Sequence, residues 1–259
     1  MDALSLSIAA LMVLSALVTS MLLIGRDPLR SLVRGVRENA WAVGLLLVVA
    51  VGERAIAAII GGVRPLLTVP ASARVSEPFL IALQNAIPPG PGVPFFAVIY
   101  VLLFIFLLVT VPLLLLAWNG DRFRTYALAL LFTYSIALAS HALIGSVRPG
   151  LDPLSGVAPL LYSDPFWGPL SGDLHSRGNG LPSVHVAVVT VMCLSMWGLK
   201  GAGPVLLATL ASTAAAVLYL GVHWPLDVIA GLLTGAASHI AAVWSQKKTM
   251  GRGGRAAPF

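Results

Sequence analysis

Apolar positions fall in seven runs of 17 to 25 residues, Leu4–Ile24, Ala40–Ile60, Pro94–Trp118, Thr125–Ser146, Ser183–Leu199, Pro204–Val222 and Pro225–Trp244. Each is about as long as the hydrocarbon core of a bilayer requires of a helix. The pattern predicts an all-α fold: a polytopic membrane bundle of about seven transmembrane helices. The breaks between runs are of two kinds. Gly25–Asn39 carries Arg26, Arg30, Arg34 and Arg37; Trp118 is followed by Asp121, Arg122 and Arg124; Lys200–Gly203 is a tight turn; and Lys247, Lys248, Arg252 and Arg255 form a basic tail expected to be disordered. The other breaks are long. Gly61–Val93 contains six prolines, which forbid a continuous helix, with a short interfacial helix expected at Phe79–Ile87. Val147–Pro182 is the second long loop.

Basic connections stay in the cytoplasm. Seven helices with the N-terminus outside place all of them there, and place both long loops on the outer face. The first run has only Asp2 before it and Arg26 after it, so it is expected to be a helix and not a cleaved signal peptide. The division expected is residues 1–93 for two helices and the Pro-rich outer loop, 94–244 for a catalytic bundle, and 245–259 for the tail.

Composition agrees. Of 259 residues 58% are hydrophobic and 10% charged, against about 25% charged in soluble domains. The net charge of +6 sits at the ends of apolar runs with no interleaved aromatics, which excludes nucleic acid as a partner. The single cysteine, Cys193, permits no internal disulfide and reads as a packing residue. Glu53 and Arg54 read as an interfacial pair, with a bundle-facing pair as the alternative.

Ionisable residues at membrane depth are costly and mark candidate sites. Three polar clusters fall at the outer ends of the last four helices. In Leu220–Gly231, His223 precedes Asp227 by four residues, and Pro225 suits the first helical position. A carboxylate in that first turn can hold the His223 ring through one nitrogen and leave the other for attack or proton transfer. An Asp that merely caps the helix is the plainer alternative. Pro182-Ser183-Val184-His185 offers Ser183 as an N-cap, with free amides that attract an anion, and His185 in the first turn. His141 and Arg148, seven residues apart, would share one helix face, the arginine roughly 10 Å further out. Together these groups suit a phosphate. A zinc site built on His223 and Asp227 has no HExxH-like pair or cysteine ligand to support it, so no metal or cofactor is expected.

Arg148-Pro149, Pro182-Ser183-Val184-His185 and His223-x3-Asp227 resemble, in order and spacing, the three signature motifs of the type 2 phosphatidic acid phosphatase (PAP2) superfamily. The resemblance covers about Thr125–Trp244. It implies a PAP2-like core in which His223 is the nucleophile and forms a phosphohistidine, Asp227 orients it, and His185 protonates the leaving oxygen. Arg148, Ser183 and backbone amides would hold the phosphoryl oxygens. There are departures. His141 stands where the first motif usually begins with lysine, and Val184 stands where the second has glycine. Ala216 and Val217 stand where the third begins Ser-Arg, so one arginine is missing, and Arg177 is a candidate to replace it. Pro-Ser-x-His with a bulky third residue looks more like the branch containing inositol phosphorylceramide synthases.

The expected activity is hydrolysis of a lipid phosphate or pyrophosphate at the outer face of the cell membrane. A lipid phosphotransferase moving a phosphoryl-headgroup to an alcohol is the alternative, and a non-catalytic lipid-binding or transport protein a further one. The expected partners are the lipid phosphate and the membrane, with homo-oligomerisation left open.

Overall fold

A computed structural model of the chain describes residues 3–60, 67–68, 75–174 and 180–253. They form an all-α bundle. Five helical stretches are long and apolar enough to cross a membrane: α1 (Ala3–Ile24), the compound helix Pro89–Trp118, α7 (Gly120–Leu143), α11 (Ala202–Tyr219) and the first part of α12 (Pro225–Gly253). A bent pair, α2 (Pro28–Glu38) and α3 (Ala40–Ile60), makes a sixth if its two arms count as one span.

By length and composition alone, the described residues thus give five or six spans against the expected seven. Where Ser183–Leu199 read as a span, α10 (Val184–Met196) has 13 residues. At 1.5 Å per residue it is about 20 Å long, well short of the roughly 30 Å hydrocarbon core. It is buried on nearly all sides by its neighbours, with Val186, Ala187, Val188, Val189 and Val191 fully enclosed. Its apolar character comes from this central position and not from lipid.

Other boundaries also move for physical reasons. Gly25–Asn39 is not a plain connection, because Arg30, Arg34 and Arg37 fall on one face of α2, a spacing that makes an amphipathic helix. Asn39 makes the 89° corner to α3, its side chain donating to the Gly35 carbonyl at 2.8 Å. The third apolar run starts at Pro89, not Pro94, since prolines are tolerated in a first turn. That helix runs as α5 (Pro89–Ala97), one wide turn over Val98–Leu103, and α6 (Phe104–Trp118). The basic tail is helical as far as Gly253, contrary to the expected disorder.

Two layers of core result. One lies between α3, α6, α7, α10 and α12 around Leu115, Phe123, Tyr126 and Met192. The other lies towards the long loops, around Tyr100, Leu161, Val186, Tyr219 and Val222. Cys193 is buried in the first of these layers as a packing residue and donates to the Leu206 carbonyl at 3.0 Å. The second long loop carries α8 (Leu160–Ser163) and α9 (Trp167–Leu174). It is tied down by α4 (Glu77–Ala86), the helix expected at Phe79–Ile87. Gln84 of α4 accepts from the Ala158 amide and donates to the carbonyls of Ala158 and Tyr219, at 2.9, 3.0 and 2.9 Å. A short parallel pairing of Leu67–Thr68 with Ile144–Gly145 joins the first long loop to the end of α7.

The α10–α12 contact is a close one, and two glycines permit it. A Cβ at Gly231 would lie 2.6 Å from the Ser183 carbonyl oxygen, and one at Gly235 would overlap the Ala187 carbonyl oxygen. Gly235→Ala should therefore destabilise the protein by about 1–3 kcal/mol, although alanine is the better helix former in isolation. Thermal unfolding in detergent checks this, and a raised Tm would contradict the packing.

Candidate active site

The site is built on the corner between α11 and α12. Helix α11 closes with the bond pattern of a Schellman cap: Gly221 N–H donates to the Leu218 carbonyl at 3.2 Å and Val222 N–H to the Val217 carbonyl at 3.0 Å. Gly221 has φ +71°, and a Cβ there would lie 2.7 Å from the Ala158 carbonyl, so both backbone and space require glycine. His223 follows at once, its N–H also bonded to Val217, at 3.1 Å. Val217, where the third motif usually has arginine, is fully buried among apolar neighbours and contributes only this carbonyl.

Pro225 then starts α12, as its fixed φ predisposes it to do. Asp227 sits in the first turn and reaches back. Its Oδ2 accepts the Trp224 N–H at 2.9 Å and lies 3.3 Å from His223 Nδ1. The two readings of Asp227, helix cap and ring holder, are thus one arrangement. Both side chains are buried. Burial pushes the His223 imidazole below its ordinary pKa, and the contact with Asp227 opposes this only in part.

The second cluster joins the first through the backbone: Ser183 N–H donates to the Asp227 carbonyl at 3.0 Å. Ser183 stands at the N-cap position of α10, but its Oγ makes no cap bond. That hydroxyl is fully buried and has no hydrogen-bond partner in the structure. Val184 turns the other way and packs on the apolar core. His185 is buried against two aromatic rings, Tyr100 at 4.3 Å and Phe104 at 4.1 Å between centroids.

The third cluster, His141 with Arg148, is arranged differently from expectation. Helix α7 stops at Leu143, so His141 and Arg148 do not share a helix face. The chain instead leaves the helix through Ile144–Gly145, and Arg148 returns to the site from the loop. Ser146, on that return path, accepts the Gly180 N–H through its carbonyl at 3.0 Å. Arg148 is 9% exposed, donates to the Tyr162 hydroxyl at 2.6 Å, and its charge interacts with the Asp227 carboxylate. The His141 ring bonds the Pro182 carbonyl, and its charge interactions reach His223, Arg148 and Asp227. The adjacent Ser140 Oγ donates to the Leu181 carbonyl at 3.1 Å. The end of α7 thus holds the turn that leads into Ser183.

His141, Arg148, Ser183, His223 and Asp227 are therefore one connected cluster, with His185 in the first turn of the helix that Ser183 begins. Arg177, the candidate replacement cation, lies outside the described residues, as do the side chains of Glu53 and Arg54. Among the described residues no three His, Cys, Asp or Glu side chains gather as metal ligands. Tyr100, Phe104 and Tyr162 were not legible as site residues. The first two lie in an unbroken apolar run and the third in a loop without a motif.

The sequence pattern of the PAP2 superfamily matches residues 122–250. Over that stretch the chain belongs to the PAP2 superfamily. A curated relative, Putative undecaprenyl-diphosphatase YbjG of Escherichia coli (strain K12), is 34% identical over 74 residues. The match takes in 27% of this chain and 37% of the relative, so the chain spans little more than a third of that protein's length. No solved structure matches the chain. The matched stretch of the superfamily holds all three motifs, whereas Tyr100 and Phe104 lie before it.

The buried histidine gives a pH-dependent stability of known sign. Unfolded, the His223 ring titrates near roughly 6.5; folded, it titrates lower. The unfolded chain takes up the proton first as pH falls, so stability is lost from about 6.5 downward. His223→Gln should flatten the fall of Tm between pH 7.5 and 5.5. Parallel curves for the two proteins would contradict the assignment.

Proposed function

We propose that the protein is an integral membrane lipid phosphatase. It hydrolyses a lipid phosphate or pyrophosphate at the extracytoplasmic face of the cell membrane through a phosphohistidine on His223. The observation that carries this reading is the buried contact of His223 Nδ1 with Asp227 Oδ2, beside the Arg148 guanidinium and the start of α10. Membership of the PAP2 superfamily and the named activity of the YbjG relative support a phosphate-ester substrate. The catalytic unit is taken as residues 94–244.

The chemistry follows from the tautomer. With its proton on Nδ1 held by Asp227, His223 presents the Nε2 lone pair to phosphorus. As the N–P bond forms, the P–O bond to the lipid breaks, and His185 gives its proton to the departing oxygen. Asp227 balances the charge that develops on the His223 ring. Arg148, the Ser183 hydroxyl and the first amides of α10 bind the phosphoryl oxygens and stabilise their developing charge. Water, deprotonated by His185, then attacks phosphorus and releases phosphate and His223. If Arg177 supplies a second cation, it does so from the outer loop. The alternative acceptor is an alcohol, and Val184 in the second motif favours it; labelled lipid phosphate with and without added alcohols separates the two by product.

His223→Ala should lower kcat/KM by at least about a thousandfold, roughly 4 kcal/mol, on every substrate. His185→Ala should lose comparably on a lipid phosphate but recover most of its activity on nitrophenyl phosphate, whose leaving group needs no proton. Equal losses for both variants on nitrophenyl phosphate would contradict the roles. In intact cells, single cysteines at 164–174 should react with an impermeant maleimide; labelling only after lysis would reverse the orientation.

A further inference from the structure

We propose that Tyr100 is a positioning residue for the general acid, a role that rests on the reading of His185 given above. Tyr100 belongs to the compound helix Pro89–Trp118 and lies in its one wide turn, Val98–Leu103. A turn of i→i+5 type inserts an extra residue and re-aims the side chains that follow, and such turns concentrate at functional sites. Here the two residues concerned are Tyr100 and Phe104, four apart and so on one face. Both meet the same ring. Tyr100 lies 4.3 Å from the His185 centroid at an interplanar angle of 26°, and Phe104 lies 4.1 Å away at 39°.

These contacts are suited to holding an acid. His185 sits in the first turn of α10, where the positive end of the helix favours loss of its proton. An aromatic face opposes this, since its negative quadrupole attracts an imidazolium. The Tyr100 ring is 1% exposed, so its stack on His185 is held on every side by the surrounding core. In the transfer step the His185 N–H proton passes to the lipid oxygen as the P–O bond breaks, and the plane of the His185 ring sets the direction of that N–H. Tyr100 fixes the plane by stacking. The hydroxyl is secondary to the ring, so Tyr100→Phe keeps the function and Tyr100→Leu loses it.

The test compares wild type, Tyr100→Phe, Tyr100→Leu, Phe104→Leu and His185→Ala in detergent, on a lipid phosphate and on nitrophenyl phosphate. Tyr100→Leu should lose about 30-fold or more in kcat on the lipid, a sizeable part of the roughly 10²–10⁴ attributable to acid–base catalysis, and less than about threefold on nitrophenyl phosphate. Tyr100→Phe should stay within about threefold on both, which removal of the ring's packing would not permit. Phe104→Leu should follow Tyr100→Leu in direction and keeps the proposal testable if Tyr100→Leu does not fold. Equal losses on the two substrates in folded leucine variants, while His185→Ala retains its selectivity, would overturn the proposal alone. A His185→Ala variant with no such selectivity would overturn the reading of His185 and the proposal with it.

Discussion

A carboxylate enclosed in an apolar bundle is costly unless it finds hydrogen-bond partners. Asp227 meets that demand with one oxygen serving the Trp224 amide and the His223 ring. Much of the site depends on this. The amide contact fixes the start of α12, the ring contact fixes the histidine, and the Asp227 carbonyl anchors the Ser183 amide at the start of α10. Replacement of the carboxylate would therefore disturb the start of α12 and the histidine at once, while the backbone bond to Ser183 would remain.

Close approach of α10 and α12 gives that arrangement its rigidity. Gly231 and Gly235 let the backbone of α12 rest on the carbonyls of Ser183 and Ala187. In lipid the hydrophobic effect does little to press helices together, so close packing and satisfied polar groups supply the association. The outer loop completes the enclosure. Gln84 ties Ala158 to the end of α11, Gly150 N–H bonds the Gly221 carbonyl at 2.9 Å, and Trp224 Nε1 bonds the Val147 carbonyl at 2.9 Å. Those bonds bring Arg148, with Tyr162 bonded to it, towards the site from a loop of short helical pieces.

The helical bundle was legible because apolar runs and arginine positions carry independent information. So was the His223–Asp227 contact, because a four-residue spacing beside Pro225 leaves few geometries. The shortness of α10 was not, since a buried helix and a lipid-facing one are equally apolar. Ser183 was legible as an N-cap position, but its free hydroxyl was not, because capping is a property of the rotamer. Arg148 was found by its motif and misplaced by its spacing: the helix stops at Leu143, and the strand-like Ile144–Gly145 breaks the helical register. Tyr100 and Phe104 carried no signal, because an aromatic in an apolar run looks the same against lipid as against a histidine.

The central claim is that His223 becomes covalently phosphorylated. The most direct measurement is to mix the Asp227→Asn protein with a phosphorus-labelled lipid phosphate, quench in base within milliseconds, and map the label by mass spectrometry. The account predicts an acid-labile, base-stable label on His223. Turnover of the lipid with no label, or label on another residue, would contradict it.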